Sequence, residues 1–400
     1  MSRWSAFLIG ALCSVCSIAW GQGAASYRVD PYWPKELPNQ WVLGQVRGVS
    51  TDSNGHIWVL NEGVPSDNAH AATQPPTAEC CVPAPSVIEF DAGGNVLRAW
   101  GKPGYVPAWP RSPRGIQVDK KGNVWIAGVA SPWTSEPGTP NPTQQEPWDR
   151  HVLKFSADGK LLLQIGQPSN APLSNRDTKS LGPTSAMRID DAADELYVAD
   201  GFLNRRVLVF DANTGKFKRG WGAYGIALAK IEEAEPIKFP ATRDPSVPVS
   251  RQFNGLSDIE IARDGKVYVS DQMNYRVQVF TKQGKFIKEF AVAPKVLGFE
   301  ATWTLALSQD PKQRHLFVTD GESGLIRILD RDSGTELGKL GHKGRNAGQF
   351  NNLNWLALDS KGAMYTGEVH FTRSWDGKIA TMTGKPQTPG GRLQRFTPQQ

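Results

Sequence analysis

The chain has 400 residues, 39 % of them hydrophobic, and a formal net charge of +6 at pH 7. Its Lys and Arg residues are dispersed and form no dense basic stretch interleaved with aromatics, which argues against nucleic acid as a partner. Beyond the N-terminus no apolar run approaches the ~18 residues that a membrane span requires.

In chain order, the first predicted element is a secretory signal over residues 1–21. Arg3 is its basic start, residues 6–18 form a short apolar core, and Ala19-Trp20-Gly21 is a small-x-small cleavage site. The core is too short for a membrane anchor. The mature chain is expected to begin near residue 22 and to be secreted or periplasmic, without Cys13 and Cys16. Residues 26–30 (SYRVD) then alternate as a strand does.

From residue 48 onward one phrase recurs six times: a strand, a Gly- or Asp-rich turn, and a second strand with an aromatic near its middle. The copies are 48–60 (GVSTDSNGHIWVL), 115–127, 186–200, 258–271, 305–320 and 355–368 (WLALDSKGAMYTGE). A second hairpin follows each of the first five, at 87–101, 151–166, 207–222, 277–290 and 326–341. Only 393–396 is left for the sixth. Four strands repeated six times predict an all-β, six-bladed β-propeller over residues 22–400, read as a single domain. The 26–30 strand is expected to complete the last blade, closing the ring and covering an open edge.

Turns within each hairpin are short and built from Asp, Asn, Gly and Lys. The other connections, 61–86, 128–150, 167–183, 223–254 and 366–392, are long and Pro-rich. Antiparallel geometry puts every long connection on one face. Loops presented by a rigid scaffold carry function, so that face is the expected working face. Cys80 and Cys81 sit in the first long connection as adjacent cysteines, and in an oxidising compartment they predict a vicinal disulfide.

Residues that start the inner strand or end the second strand ring the channel mouth: Arg47, Arg114, Thr184, Ser257, Asp258, Trp303 and Asn354, with Glu62, Asp200, Asp271, Asp320 and Glu368 just outside. Asp200, Asp271 and Asp320 belong to the repeat and are expected to cap a turn or to pair with Arg206, Arg276 and Arg327. Glu62 and Glu368, on neighbouring blades, are the candidate catalytic pair: two carboxylates can act as acid and base. With Asn61 and Asn354 they could also hold Ca²⁺ through oxygen. Arg47 and Arg114 could clamp a carboxylate.

The repeats resemble the NHL family, in which a strand ending in Ala/Ser-Asp is followed by Asn-x-Arg-Val. Here that is Asp200-Gly201-Phe202-Leu203-Asn204-Arg205-Arg206-Val207 and Asp271-Gln272-Met273-Asn274-Tyr275-Arg276-Val277. The opening GQVRGVSTDSNGHIWV at 44–59 is similar to the peptidyl-hydroxyglycine alpha-amidating lyases, six-bladed secreted propellers. That resemblance implies zinc held by three histidines at inner-strand starts. The matching positions here carry Arg114, Ser257 and Asn354, so zinc is not expected. The family's first-blade arginine corresponds to Glu62, its tyrosine to Phe202, and its arginine after Ala-Asp to Gln272.

These readings predict a non-catalytic binding module for a small molecule, peptide or protein. The ligand-facing residues would be Arg47, Glu62, Arg114, Phe202, Ser257, Asp258, Gln272, Trp303 and Asn354. The alternative is an enzyme on the lyase-like scaffold with altered chemistry, a Ca²⁺-dependent hydrolase or lyase.

Overall fold

Each second strand of the repeat is apolar on both sides, as in Ile57–Asn61 and Val124–Gly128, where every residue is buried. A sheet of such strands must bury both faces, which a single blade cannot do. The computed structural model describes residues 25–62, 81–129, 147–201, 204–233, 246, 248–298, 301–369 and 391–399. Six antiparallel four-stranded sheets stand around a central axis. Their inner strands, blades 1 to 6, are Val46–Thr51, Pro113–Val118, Ala186–Asp190, Leu256–Ile261, Leu305–Leu307 and Leu353–Leu358.

Six apolar clusters fill the six gaps between neighbouring blades. The repeat aromatics are distributed one to a gap: Trp58, Trp125, Tyr197, Tyr268, Phe317 and Tyr365 are each nearly inaccessible to solvent. A buried aromatic with a polar tip needs a partner for that tip. In three blades the aspartate of the preceding turn provides it: Trp58 Nε1 donates to Asp52, Trp125 Nε1 to Asp119, and the Tyr365 hydroxyl to Asp359, each at 3.1 Å. The same aspartates accept backbone N–H groups of their own turns, so turn and core are set together.

The ring closes as predicted. Tyr27–Asp30 pairs antiparallel with Leu393–Pro398 as the outermost strand of blade 6. Just after it, Trp33 is driven between blades 6 and 1, its ring tilted against Phe90 and edge-on to Tyr365. A further two-stranded parallel ribbon, Trp41–Val42 with Val82–Pro83, was not legible in the repeat pattern.

In blades 1 to 5 the outermost strand carries one extra residue at the same register, a β-bulge: Leu97, Leu162, Lys218, Ile287 and Leu337. All five side chains are exposed. A bulge twists an edge strand away from further pairing, which guards five open edges against sheet-to-sheet association. The sixth edge is the N-terminal strand.

Among the described residues no helix is long and apolar enough to cross a membrane. The predicted signal, Cys80, Phe202 and most of the 61–86, 128–150 and 366–392 connections lie outside the described residues.

Candidate functional site

The mouth of the channel is built by irregularities where inner strands begin. In blades 1, 4 and 6 the ladder skips one residue, Arg47, Ser257 and Asn354 respectively. In blade 2 the skip falls between Arg114 and Ile116, at Gly115, which takes φ 74°. Bulges of this kind re-aim side chains near functional sites. Gly48 permits the close approach of blades 1 and 2 here, since a Cβ on it would lie 2.8 Å from the Ile116 nitrogen.

Arg114 crosses the axis. Its Nε donates to Ser185 O of blade 3 at 3.2 Å. Its guanidinium carbon lies 5.1 Å from the Trp303 ring of blade 5 and 5.2 Å from the Trp355 ring of blade 6. A side chain of blade 2 thus reaches blades 3, 5 and 6 together. Directly inside is a cavity of about 10 Å³, lined by residues of all six blades and large enough for a single water at most.

Deeper in the channel Asp258, expected at the mouth, joins an ion cluster with Arg188 and Glu260, which the sequence reading did not single out. Arg188 Nη2 lies 2.9 Å from Glu260 and 3.5 Å from Asp258, while its Nε donates to Ile259 O at 2.8 Å. Asp258 also accepts the N–H groups of Ile259 and Leu305, at 2.9 and 2.8 Å. Burial pushes the Asp258 carboxyl above its usual range, against the pull of Arg188. Burial, opposed by Arg188 and reinforced by Asp258, raises Glu260 from 4.5 to about 7. The available signal was charge at alternate positions of otherwise apolar inner strands, where a residue must face the axis.

A raised folded-state pKa means that the unfolded chain binds fewer protons between pH 4.5 and 7. The cost of Glu260 is therefore absent below about 4.5 and complete above about 7. Glu260→Gln should flatten the fall of stability between these pH values and raise stability at pH 8, by about 1–3 kcal/mol. Denaturant midpoints at pH 5 and pH 8 check this; an unchanged slope would refute the buried-carboxyl account.

The two candidate catalytic carboxylates are each matched to an arginine rather than to one another. Glu62 is ion-paired with Arg47. Glu368 accepts Arg392 Nε at 2.7 Å and the N–H groups of Asn351 and Asn352. The expected repeat pairs are present: Arg206 with Asp200, Arg276 with Asp271, and Arg327 with Asp320. Ser257 Oγ is engaged with Ser270 Oγ, Thr302 O and Trp303 O at 2.8, 3.1 and 2.9 Å. Asn354 and Gln272 are both buried. Neither amide atom of Asn354 has a hydrogen-bond partner among the described residues, nor has Gln272 Nε2. Cys81 is in a disulfide. On the trimmed face Asp52, His56 and Glu89 converge. Asp52 is held by turn N–H groups and Trp58, and Glu89 by Arg98 and His56, so donors already occupy that cluster.

No protein-family model matches the chain. NHL repeat-containing protein 3 of Homo sapiens is 25 % identical over 267 residues, covering 66 % of this chain and 60 % of that protein. Peptidyl-glycine alpha-amidating monooxygenase B of Xenopus laevis is 25 % identical over 178 residues, 44 % of this chain and 16 % of that protein. The chain is a six-bladed propeller whose repeats resemble those of NHL repeat-containing proteins and of the amidating lyases. The chain spans less than two thirds of the length of these relatives. Among solved structures, virginiamycin B lyase from Staphylococcus aureus is similar at TM-score 0.47 and 10 % identity, over 85 % of this chain and 82 % of that one.

The zinc that the resemblance to the amidating lyases implies does not fit the residues at these positions. Zinc needs converging nitrogen, sulfur or carboxylate donors. Arg114 presents a permanent cation held between two indoles, and the Ser257 hydroxyl is committed to Ser270 and blade 5.

Proposed function

We propose that the chain is an exported binding module whose loop-rich face recognises a small molecule, peptide or protein at the channel mouth. The observation that carries this reading is the Arg114 guanidinium, stacked between Trp303 and Trp355 where the resemblance implies a metal ligand. A cation held over two aromatic faces is a rigid positive platform. Beside it, Asn354 offers one acceptor and two donors that no described residue uses. Buried polar groups of this kind are matched in native proteins, by water or by a ligand. Glu62 and Glu368 are engaged with Arg47 and Arg392, an arrangement that does not favour the acid–base or Ca²⁺ reading. Export rests on the signal read over residues 1–21, with cleavage near Gly21.

Two measurements test the proposal. The first is metal content per chain after purification without chelator; stoichiometric zinc or calcium would overturn the reading. The second is a thermal-shift screen of small molecules and short peptides on the wild type and on Asn354→Ala. Because the Asn354 amide bonds nothing among the described residues, the variant should differ in stability by less than about 1 kcal/mol. It should nevertheless weaken any mouth ligand about tenfold or more, the worth of one or two lost hydrogen bonds. A ligand that binds both proteins equally does not use this site.

A further inference from the structure

Arg150 lies at the loop-rich end of blade 2, immediately before the strand His151–Phe155. It is among the largest fully buried side chains, 1 % exposed. Its guanidinium carbon is 5.2 Å from the Trp148 ring. Trp148 is fixed in turn by paired backbone hydrogen bonds with Ser169, at 3.3 and 3.1 Å. Neither Nε nor Nη2 of Arg150 has a hydrogen-bond partner among the described residues.

Those two nitrogens form the edge of a guanidinium that presents parallel N–H bonds to a carboxylate. Elsewhere in the ring that edge is occupied: Arg327 places Nε and Nη2 on Asp320 at 3.0 and 2.6 Å. Around Arg150 the nearby carboxylates are engaged. Asp149 accepts the N–H groups of Arg111 and Ser112, and Asp200 accepts Gly182 N, Asn204 Nδ2 and Arg206 Nε. Burial lowers the Arg150 pKa, with Asp200 and Asp177 acting in the opposite sense. At the same boundary Thr184 donates its N–H to Gly128 O, and its own buried hydroxyl is also unmatched among the described residues. A buried cation without a bonded counter-charge is costly, and removing it should help the fold unless something binds it.

We propose that the junction of blades 2 and 3 on the loop-rich face binds a small monocarboxylate, clasped by Arg150 Nε and Nη2 with the guanidinium stacked on Trp148. One guanidinium balances one negative charge. A phosphate, carrying about 1.5–2 charges, would leave an excess beside Asp177 and Asp200. The site shares no residue with Arg114, Trp303, Trp355 and Asn354, so it stands or falls separately from the mouth.

The test uses the mature chain, melted in sodium acetate or benzoate against sodium chloride at equal ionic strength, with inorganic phosphate as a third arm. The wild type should show a saturable rise in Tm with acetate or benzoate and none with chloride. Arg150→Lys keeps the charge and loses the paired edge, and should weaken carboxylate binding about tenfold or more. Arg150→Met should lose the response and melt above the wild type when carboxylate is absent. The proposal is overturned by a wild type without a saturable response, by an equal response in Arg150→Lys, by tighter binding of phosphate, or by Arg150→Met melting below the wild type in carboxylate-free buffer.

Discussion

Replacing Trp33 by alanine should destabilise the protein by about 3–5 kcal/mol, the range for deleting a large buried aromatic. Trp33 is 4 % exposed, with its ring centroid 5.0 Å from Tyr365 of blade 6 and 5.8 Å from Phe90 of blade 1. Its indole nitrogen has no hydrogen-bond partner among the described residues, so the loss is one of packing. The indole sits where the ring is joined: the strand Tyr27–Asp30 completes blade 6, and the segment after it wedges blade 6 against blade 1. Gly94 receives the wedge, because a Cβ there would meet Lys35 N and Trp33 Cδ1 at 2.9 Å. Trp33→Phe should retain much of the packing and cost far less. Urea midpoints for the three proteins decide it; a Trp33→Ala change below about 1 kcal/mol would show that blades 6 and 1 hold without the wedge.

Asp200→Ala should be comparably severe, about 3–5 kcal/mol, because it leaves the Arg206 charge buried and uncompensated. Both side chains are fully buried, and Arg206 Nε lies 2.8 Å from Asp200 Oδ2. The remaining Arg206 nitrogens hold the carbonyls of Asn175, Asp177 and Ser180 at 2.6–2.8 Å, so the pair also organises the connection into blade 3. The double variant Asp200→Leu with Arg206→Met removes both charges and should recover much of the loss, since a buried pair adds little beyond an apolar replacement. Asp158→Ala, at an 88 % exposed partner of Arg98, should change stability by less than about 1 kcal/mol. Equal costs for Asp200→Ala and Asp158→Ala would refute the assignment of the repeat aspartates to the folding core.

Much of this architecture was legible in the one-dimensional pattern, because a propeller is nearly a local object. Each hairpin is written in the spacing of its own apolar residues and turn glycines, and the six aromatics from Trp58 to Tyr365 announce the six gaps they fill. The alternation of Tyr27–Asp30 was enough to place it as the closing strand, since only one blade lacked an outer partner. The Asp–Arg pairs of blades 3, 4 and 5 were readable for the same reason: five to seven residues separate the partners across one tight connection, and in blades 3 and 4 the ladder sets them directly opposite.

What surrounds the axis was decided by closure of the ring. Arg114 meets Trp303 and Trp355 because blades far apart in the chain face one another across a narrow channel, and no periodicity encodes which side chains meet there. The same holds for Arg188 with Glu260, and for the separate matching of Glu62 to Arg47 and of Glu368 to Arg392. A lone carboxylate in a sequence looks available until a long-range arginine arrives beside it. By itself the sequence determined the number of blades, the two unlike faces and the absence of histidine at positions 114, 257 and 354, since these depend on residue identity and local spacing. Tertiary structure alone decided which charges are matched, that a guanidinium lies between two indoles at the mouth, and that the paired edge of Arg150 is buried without a bonded partner among the described residues, because such matches depend on distance through space.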